Sequence, residues 1–268
     1  MLPKRSMACL AILLVALVPS ALVAQAARAD VVSARDMTEA QYVQRIPPVF
    51  RELYGPVATP AATLLWHNAG PVFAVDAMTR AYGEIWALQG PLSLNERSVA
   101  TVAALVAQRL YPQIKLHING FLSSGGTLDA LFVLVGSMAR ESVSSIPEAL
   151  VDAVTAGLQW RAASMQGFRA PSKDEVSRAL STAVRDDMSP LNQRMSLLAK
   201  LSAHIALGDI PKIHDVMLAF VHTIPANANK DQLVDLLITH LIVYCGYPRG
   251  MNAFIVWQQL RDEFALNK

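Results

Sequence analysis

The stretch "LNERSVATVAALVAQRLYPQIKLHINGFLSSGGT" (residues 94–127) holds a helix, a break and a second helix in one phrase. Val99, Val102, Ala103, Val106 and Leu110 fall at i, i+3, i+4, i+7 and i+11, one apolar stripe at helical spacing. Tyr111-Pro112 ends that stripe, and a second helix through His117 stops near Gly125 and Gly126, which let the chain turn. Part of the phrase returns 97 positions later: "LNQRMSLLAKLS" (191–202) repeats the Leu-Asn-x-Arg of "LNERSVATVAAL" (94–105), with Gln193 in place of Glu96. Both run on to a histidine 21 residues further, His117 and His214. A duplicated unit explains the echo.

Outward from that phrase the pattern stays helical. Thr127 caps a third helix with Leu128, Leu131, Phe132, Val135 and Met138 on its buried face, and a fourth starts near Pro147 and runs towards Met165. Upstream, "VFAVDAMTRAYGEIW" (72–86) is helical and ends before "LQGP". The second copy repeats the plan, with a lead helix from about Asp174 and helices expected at 190–207, 213–222, 230–244 and 249–264. Between residues 30 and 71, Pro47, Pro48, Pro56 and Pro60 allow only short helices joined by turns. No run alternates polar and apolar residues. The predicted fold is all-α, two tandem helical bundles packed together: an extension at 30–71, a first repeat at 72–165, a linker at 166–173 and a second repeat at 174–268.

Residues 1–29 read as a secretory signal, with Lys4 and Arg5, the apolar "ACLAILLVALV" and a small-residue exit. This predicts a periplasmic or secreted protein with no stable membrane span once the signal is removed. Cleavage after Ala26 leaves 21 basic against 21 acidic residues, and no basic stripe with interleaved aromatics points to nucleic acid. Cys245 would then be the only cysteine, so no internal disulfide is expected.

"AYGEIW" (81–86) followed by the 94–127 phrase resembles the carboxymuconolactone decarboxylase family, and "LVDLLITHLIVYCGYPRGMNAF" (233–254) looks like its closing signature. The resemblance spans about 72–165 and 174–265. It implies a helical bundle of the alkylhydroperoxidase D-like type that forms homo-oligomers, trimers first. It also implies a pocket lined by Glu96 and His117 and no metal or organic cofactor. The thiol-peroxidase branch carries a Cys-x-x-Cys before the histidine; "LYPQIKLH" and "LGDIPKIH" have no cysteine, which removes that chemistry.

Glu96 and His117 are therefore the candidate catalytic pair, a carboxyl and an imidazole able to relay a proton. Glu96 has a second explanation, because Ser93-x-x-Glu96 is a capping-box pattern. In the second copy Ser189 is the natural cap with Pro190 as first residue, a register that would move Glu96 one step past the box. Arg97 is a candidate partner for a substrate carboxylate, and Tyr82 and Trp86, four apart, could wall the pocket. Gln193, Arg194 and His214 are the second copy's counterparts, without the acid. The expected partner is a small carboxylated lactone or related unsaturated acid, decarboxylated or isomerised; the alternative is a non-catalytic helical binding or assembly protein.

Overall fold

Side-chain caps and prolines set where the helices begin. The computed structural model describes residues 34, 36–183 and 188–266, so the expected signal at 1–29 lies outside it. Among the described residues all regular structure is helical. Three short helices come first, α1 (Glu39–Gln44), α2 (Pro48–Tyr54) and α3 (Ala58–Ala69), separated at Pro47 and at Gly55-Pro56 as the proline spacing predicts. Next, α4 (Pro71–Asp76) continues without interruption into a wider π-helical segment, Ala77–Trp86. Backbone of this kind, bonded i→i+5, is rare and is usually confined to single turns near functional sites. Ala74, Met78, Tyr82 and Trp86 recur every fourth residue and are all buried.

The 94–127 phrase folds into α5 (Leu94–Ala107) and α6 (Tyr111–Ser123), followed by α7 (Leu128–Ser142) and α8 (Glu148–Ser164). Thr127 caps α7, its Oγ1 accepting the Ala130 N–H at 3.2 Å. The remaining helices are α9 (Lys173–Thr182), α10 (Gln193–Leu207), α11 (Ile210–His222), α12 (Lys230–Cys245) and α13 (Tyr247–Leu266).

Helix ends in the two halves correspond at a spacing of 99 residues, not the 97 of the Leu-Asn-x-Arg echo. Ser93 and Asn192 are the N-caps of α5 and α10. Arg109 and Gly208 both take positive φ, 61° and 77°. Each helix then closes alike, Leu110 N–H donating to the Leu105 carbonyl and Asp209 N–H to that of His204. Tyr111-Pro112 and Ile210-Pro211 open the helices that follow. The expected start of α10 at Pro190 is thus corrected: Asn192 Oδ1 accepts the Met195 N–H at 2.9 Å, and Gln193 is the first helical residue. In this register Gln193 stands opposite Leu94, and His214 opposite Lys115.

Two apolar clusters hold the molecule together, and they do not divide it at 166–173. One draws on residues from Leu92 to Leu260, with α5 and α10 side by side at its centre. The other runs from Met37 to Trp86 and joins the N-terminal helices to the π-helical segment. Tyr244 packs against the second cluster from α12. The candidate site forms where the two clusters meet.

Candidate functional site

Glu96 lies at the third position of α5, where the capping box puts it. Its Oε2 accepts the Ser93 N–H at 2.9 Å, and Ser93 Oγ accepts the Glu96 N–H at 3.2 Å. Its other oxygen, Oε1, accepts from Arg194 Nε at 2.7 Å, an ion pair between α5 and α10 with side chains only 11% and 25% exposed. Both carboxylate oxygens are therefore held by structural partners. Arg97 is occupied in the same way. Its Nε donates to the Leu92 carbonyl at 3.2 Å, Nη1 to that of Trp86 at 2.8 Å, and Nη2 to that of Leu88. The Trp86 carbonyl lies at the end of the π-helical segment and those of Leu88 and Leu92 in the loop that follows, so the guanidinium ties that loop to the segment's end.

His117 is buried in a ring of aromatic side chains. Tyr54 at the end of α2 places its hydroxyl 3.2 Å from His117 Nδ1 and 3.1 Å from the Tyr82 hydroxyl. The indole of Trp86 stacks on the imidazole with centroids 6.5 Å apart, and Tyr244 meets it edge-on at 5.2 Å. Gly120, one turn beyond His117, makes room for this. A Cβ there would lie 3.2 Å from Tyr54 Cε1, tighter than ordinary packing allows.

A second hydrogen-bonded group adjoins the first. Trp86 Nε1 donates to the Tyr244 hydroxyl at 2.7 Å. His240 Nε2 lies 2.8 Å from Thr101 Oγ1 and 3.2 Å from the Arg97 carbonyl. Because a carbonyl only accepts, His240 carries its proton on Nε2, which leaves buried Nδ1 unpartnered. Burial pushes His117 and His240 down to about 3 and Tyr82 up to about 12; Tyr54 and Tyr244 are also raised by burial. Desolvation disfavours every charged form here, so the whole cluster is neutral at neutral pH.

Two cavities flank the π-helical segment. One, of about 440 Å³, has mainly apolar walls that include Phe50, Met78, Tyr82, Leu116, Trp160 and Tyr244. The other, of about 530 Å³, is lined by Trp86, Arg97 and Glu52 among others. The substrate-binding trio expected from sequence is thereby divided: Tyr82 faces the first cavity, Trp86 and Arg97 the second. Neither cavity is lined by Glu96 or His117, and the structure gives the two residues separate partners. In the second half, Gln193 is exposed, and half-exposed His214 lies 3.3 Å from Asp215 and 3.9 Å from Glu263. Among the described residues no group of three His, Cys, Asp or Glu side chains is placed to hold a metal ion, and no helix is long and apolar enough to cross a membrane. Burial raises the Cys245 thiol to about 11, which keeps it protonated and unreactive at neutral pH.

Tyr54, Thr101, His240 and Tyr244 were not among the residues picked out by sequence. His240 and Tyr244 carry the same i, i+4 signal that marked Tyr82 and Trp86. Tyr54 has no such signal, because it reaches His117 only through the packing of the N-terminal helices. In comparisons with known proteins, no family model matches the chain and no curated protein is significantly similar to it.

Proposed function

We propose that the protein is a cofactor-independent proton-transfer enzyme, resembling carboxymuconolactone decarboxylases, that acts on a small unsaturated acid. One observation carries this: a continuous hydrogen-bonded chain runs from Tyr82, on the cavity wall, through the Tyr54 hydroxyl to His117 Nδ1. Such a chain has two polarities. Either Tyr82 donates to Tyr54 and Tyr54 to the imidazole, or His117 Nδ1–H donates to Tyr54 and Tyr54 to Tyr82. Switching between them moves a proton between the cavity wall and His117 without moving a heavy atom.

The charge state favours isomerisation over decarboxylation. A neutral imidazole with Nδ1 free can accept one proton. A carbon–hydrogen bond next to the acid's double bond breaks, its proton passes to Tyr82, and the relayed protons leave an imidazolium and a delocalised enolate. Reversal of the chain returns the proton to a different carbon, so atoms and charge balance. The enolate's negative charge favours the imidazolium while it lasts. Loss of CO2 would instead leave a carbanion to be protonated after the bond breaks, and with His117 neutral at neutral pH the relay holds no proton in excess, so that proton would have to be replenished from solvent.

Descent from a duplicated helical unit fits the 99-residue correspondence of helix ends, and export fits the segment at 1–29. Assembly into homo-oligomers fits the exposed row Tyr247, Met251 and Ile255 along α13, exposed by 76%, 56% and 47%. A second reading, a binding protein without turnover, is favoured by one fact: His117 and Glu96 line neither cavity. Incubation with small unsaturated monocarboxylic acids in D2O separates the two. Deuterium gained in wild type and lost in Tyr54→Phe supports the enzyme. CO2 release with deuterium only in the decarboxylated product, and none in recovered acid, replaces isomerisation by decarboxylation, and neither signal leaves the binding protein.

A further inference from the structure

The 440 Å³ cavity has one charged side chain in its wall, Lys115, and no acidic one. We infer that Lys115 is the anchor for a single carboxylate, and that the cavity takes a flat, otherwise apolar monocarboxylate. This rests on the enzyme proposed above and narrows its substrate class.

The position of Lys115 follows from how α6 and α8 approach each other. Gly157 of α8 sits against the Lys115 backbone, where a Cβ would meet the Lys115 carbonyl oxygen at 2.9 Å. That close approach brings Trp160, one turn further along α8, under the lysine, with Nζ 5.0 Å from the ring centroid. Among the described residues no carboxylate is within ion-pair distance of Lys115, whereas Lys173 and Lys212 each reach one. The ammonium is thus held over an aromatic face at the cavity wall, with capacity to donate left over.

The rest of the wall defines the body of the ligand. Phe50, Tyr82, Trp160 and Tyr244 offer ring faces and edges, Met78 and Leu116 offer hydrocarbon, and the Tyr82 hydroxyl leads to the relay. A planar conjugated chain or ring fits between them, and the volume is within the range of small-molecule sites. A second carboxylate on the ligand would face apolar wall with no cation to meet it. The cavity therefore selects one charge, which separates its ligand from a doubly charged acid.

Isothermal titration of the full chain with four matched probes tests this: cinnamate, cinnamyl alcohol, cinnamylamine and 4-carboxycinnamate. Cinnamate is expected to bind about tenfold or more tightly than the alcohol, the usual worth of a charge-assisted hydrogen bond, with the amine and the dicarboxylate weaker. Lys115→Gln should remove the preference for acid over alcohol, and Lys115→Arg should keep it, which controls for folding. Equal binding of acid and alcohol by wild type, undiminished cinnamate binding by Lys115→Gln, or no binding of any probe overturns the assignment. Tyr54→Phe distinguishes the two proposals: it should bind cinnamate normally even if the relay fails, so lost exchange with retained binding counts against neither anchor nor cavity.

Discussion

Substituting Glu96→Gln sets the role the structure gives this residue against the role its sequence suggests. A glutamine carbonyl oxygen still accepts the Ser93 N–H, so the capping box survives, and only the charge facing Arg194 is lost. That ion pair is 2.7 Å long with side chains 11% and 25% exposed, intermediate between two measured limits. Exposed pairs are worth up to about 1 kcal/mol, and breaking a fully buried one costs about 3–5 kcal/mol. The expected coupling is about 2 kcal/mol, which for a chain this size lowers the melting temperature by about 4–8 °C. The assay is a double-mutant cycle of Glu96→Gln, Arg194→Gln and the pair, read from urea midpoints at constant m. A coupling below about 0.5 kcal/mol contradicts the ion pair, since contacting residues normally exceed that. The same Glu96→Gln protein, folded, should retain deuterium exchange. Loss of exchange in a folded variant would return Glu96 to the chemistry and refute the relay as the source of acid–base power.

Three further outcomes follow from the geometry. His117 and His240 are held near 3 when folded and titrate near 6.5 when unfolded, so the unfolded chain takes up protons first as pH falls. Stability from these residues is complete above about pH 6.5 and declines towards pH 3, by roughly 1 kcal/mol per unit for each histidine; urea midpoints at several pH values should show a shallower decline in His117→Gln than in wild type. Arg109 holds a left-handed φ of 61° at the place where the other half has Gly208. Arg109→Gly should raise stability by roughly 0.5–1 kcal/mol in thermal unfolding, and a loss would mean that the Arg109 bond to the Ser142 carbonyl outweighs backbone relief. Gly120→Ala should shift the Tyr54 ring by a few tenths of an ångström and weaken its 3.2 Å contact with His117, lowering exchange while the fold stays intact by circular dichroism; unchanged exchange would show that the relay tolerates this displacement.

Much of the helical plan was legible because it rests on local chemistry. The apolar stripe from Val99, the cap at Thr127, and the breaks at Pro47, Tyr111-Pro112 and Pro147 depend on neighbours within a turn or two. The wider turn of Ala77–Trp86 was not, although the fourfold spacing of Ala74, Met78, Tyr82 and Trp86 is its trace. The Leu-Asn-x-Arg echo misled because similar letters do different work. Asn192 caps a helix, whereas Asn95 lies inside one and donates to the Phe121 carbonyl at 3.4 Å. Arg97 ties a loop to a helix end, and Arg194 pairs with Glu96. The helix caps and closing turns correspond at a spacing of 99 instead. Half of the candidate site was out of reach because its bonds join residues far apart in sequence, Tyr54 to His117 and Trp86 to Tyr244. A buried hydroxyl finds such partners only after the helices have packed.

The relay is tested most directly by long-range ¹H–¹⁵N spectra of histidine-labelled protein across pH 7.5 to 4. His117 should remain a neutral imidazole throughout, and Tyr82→Phe should shift its tautomer balance towards the Nε2–H form, because Tyr54 then has only Nδ1 to donate to. A His117 that titrates near pH 6.5, or a balance untouched by Tyr82→Phe, would contradict the chain from cavity wall to imidazole.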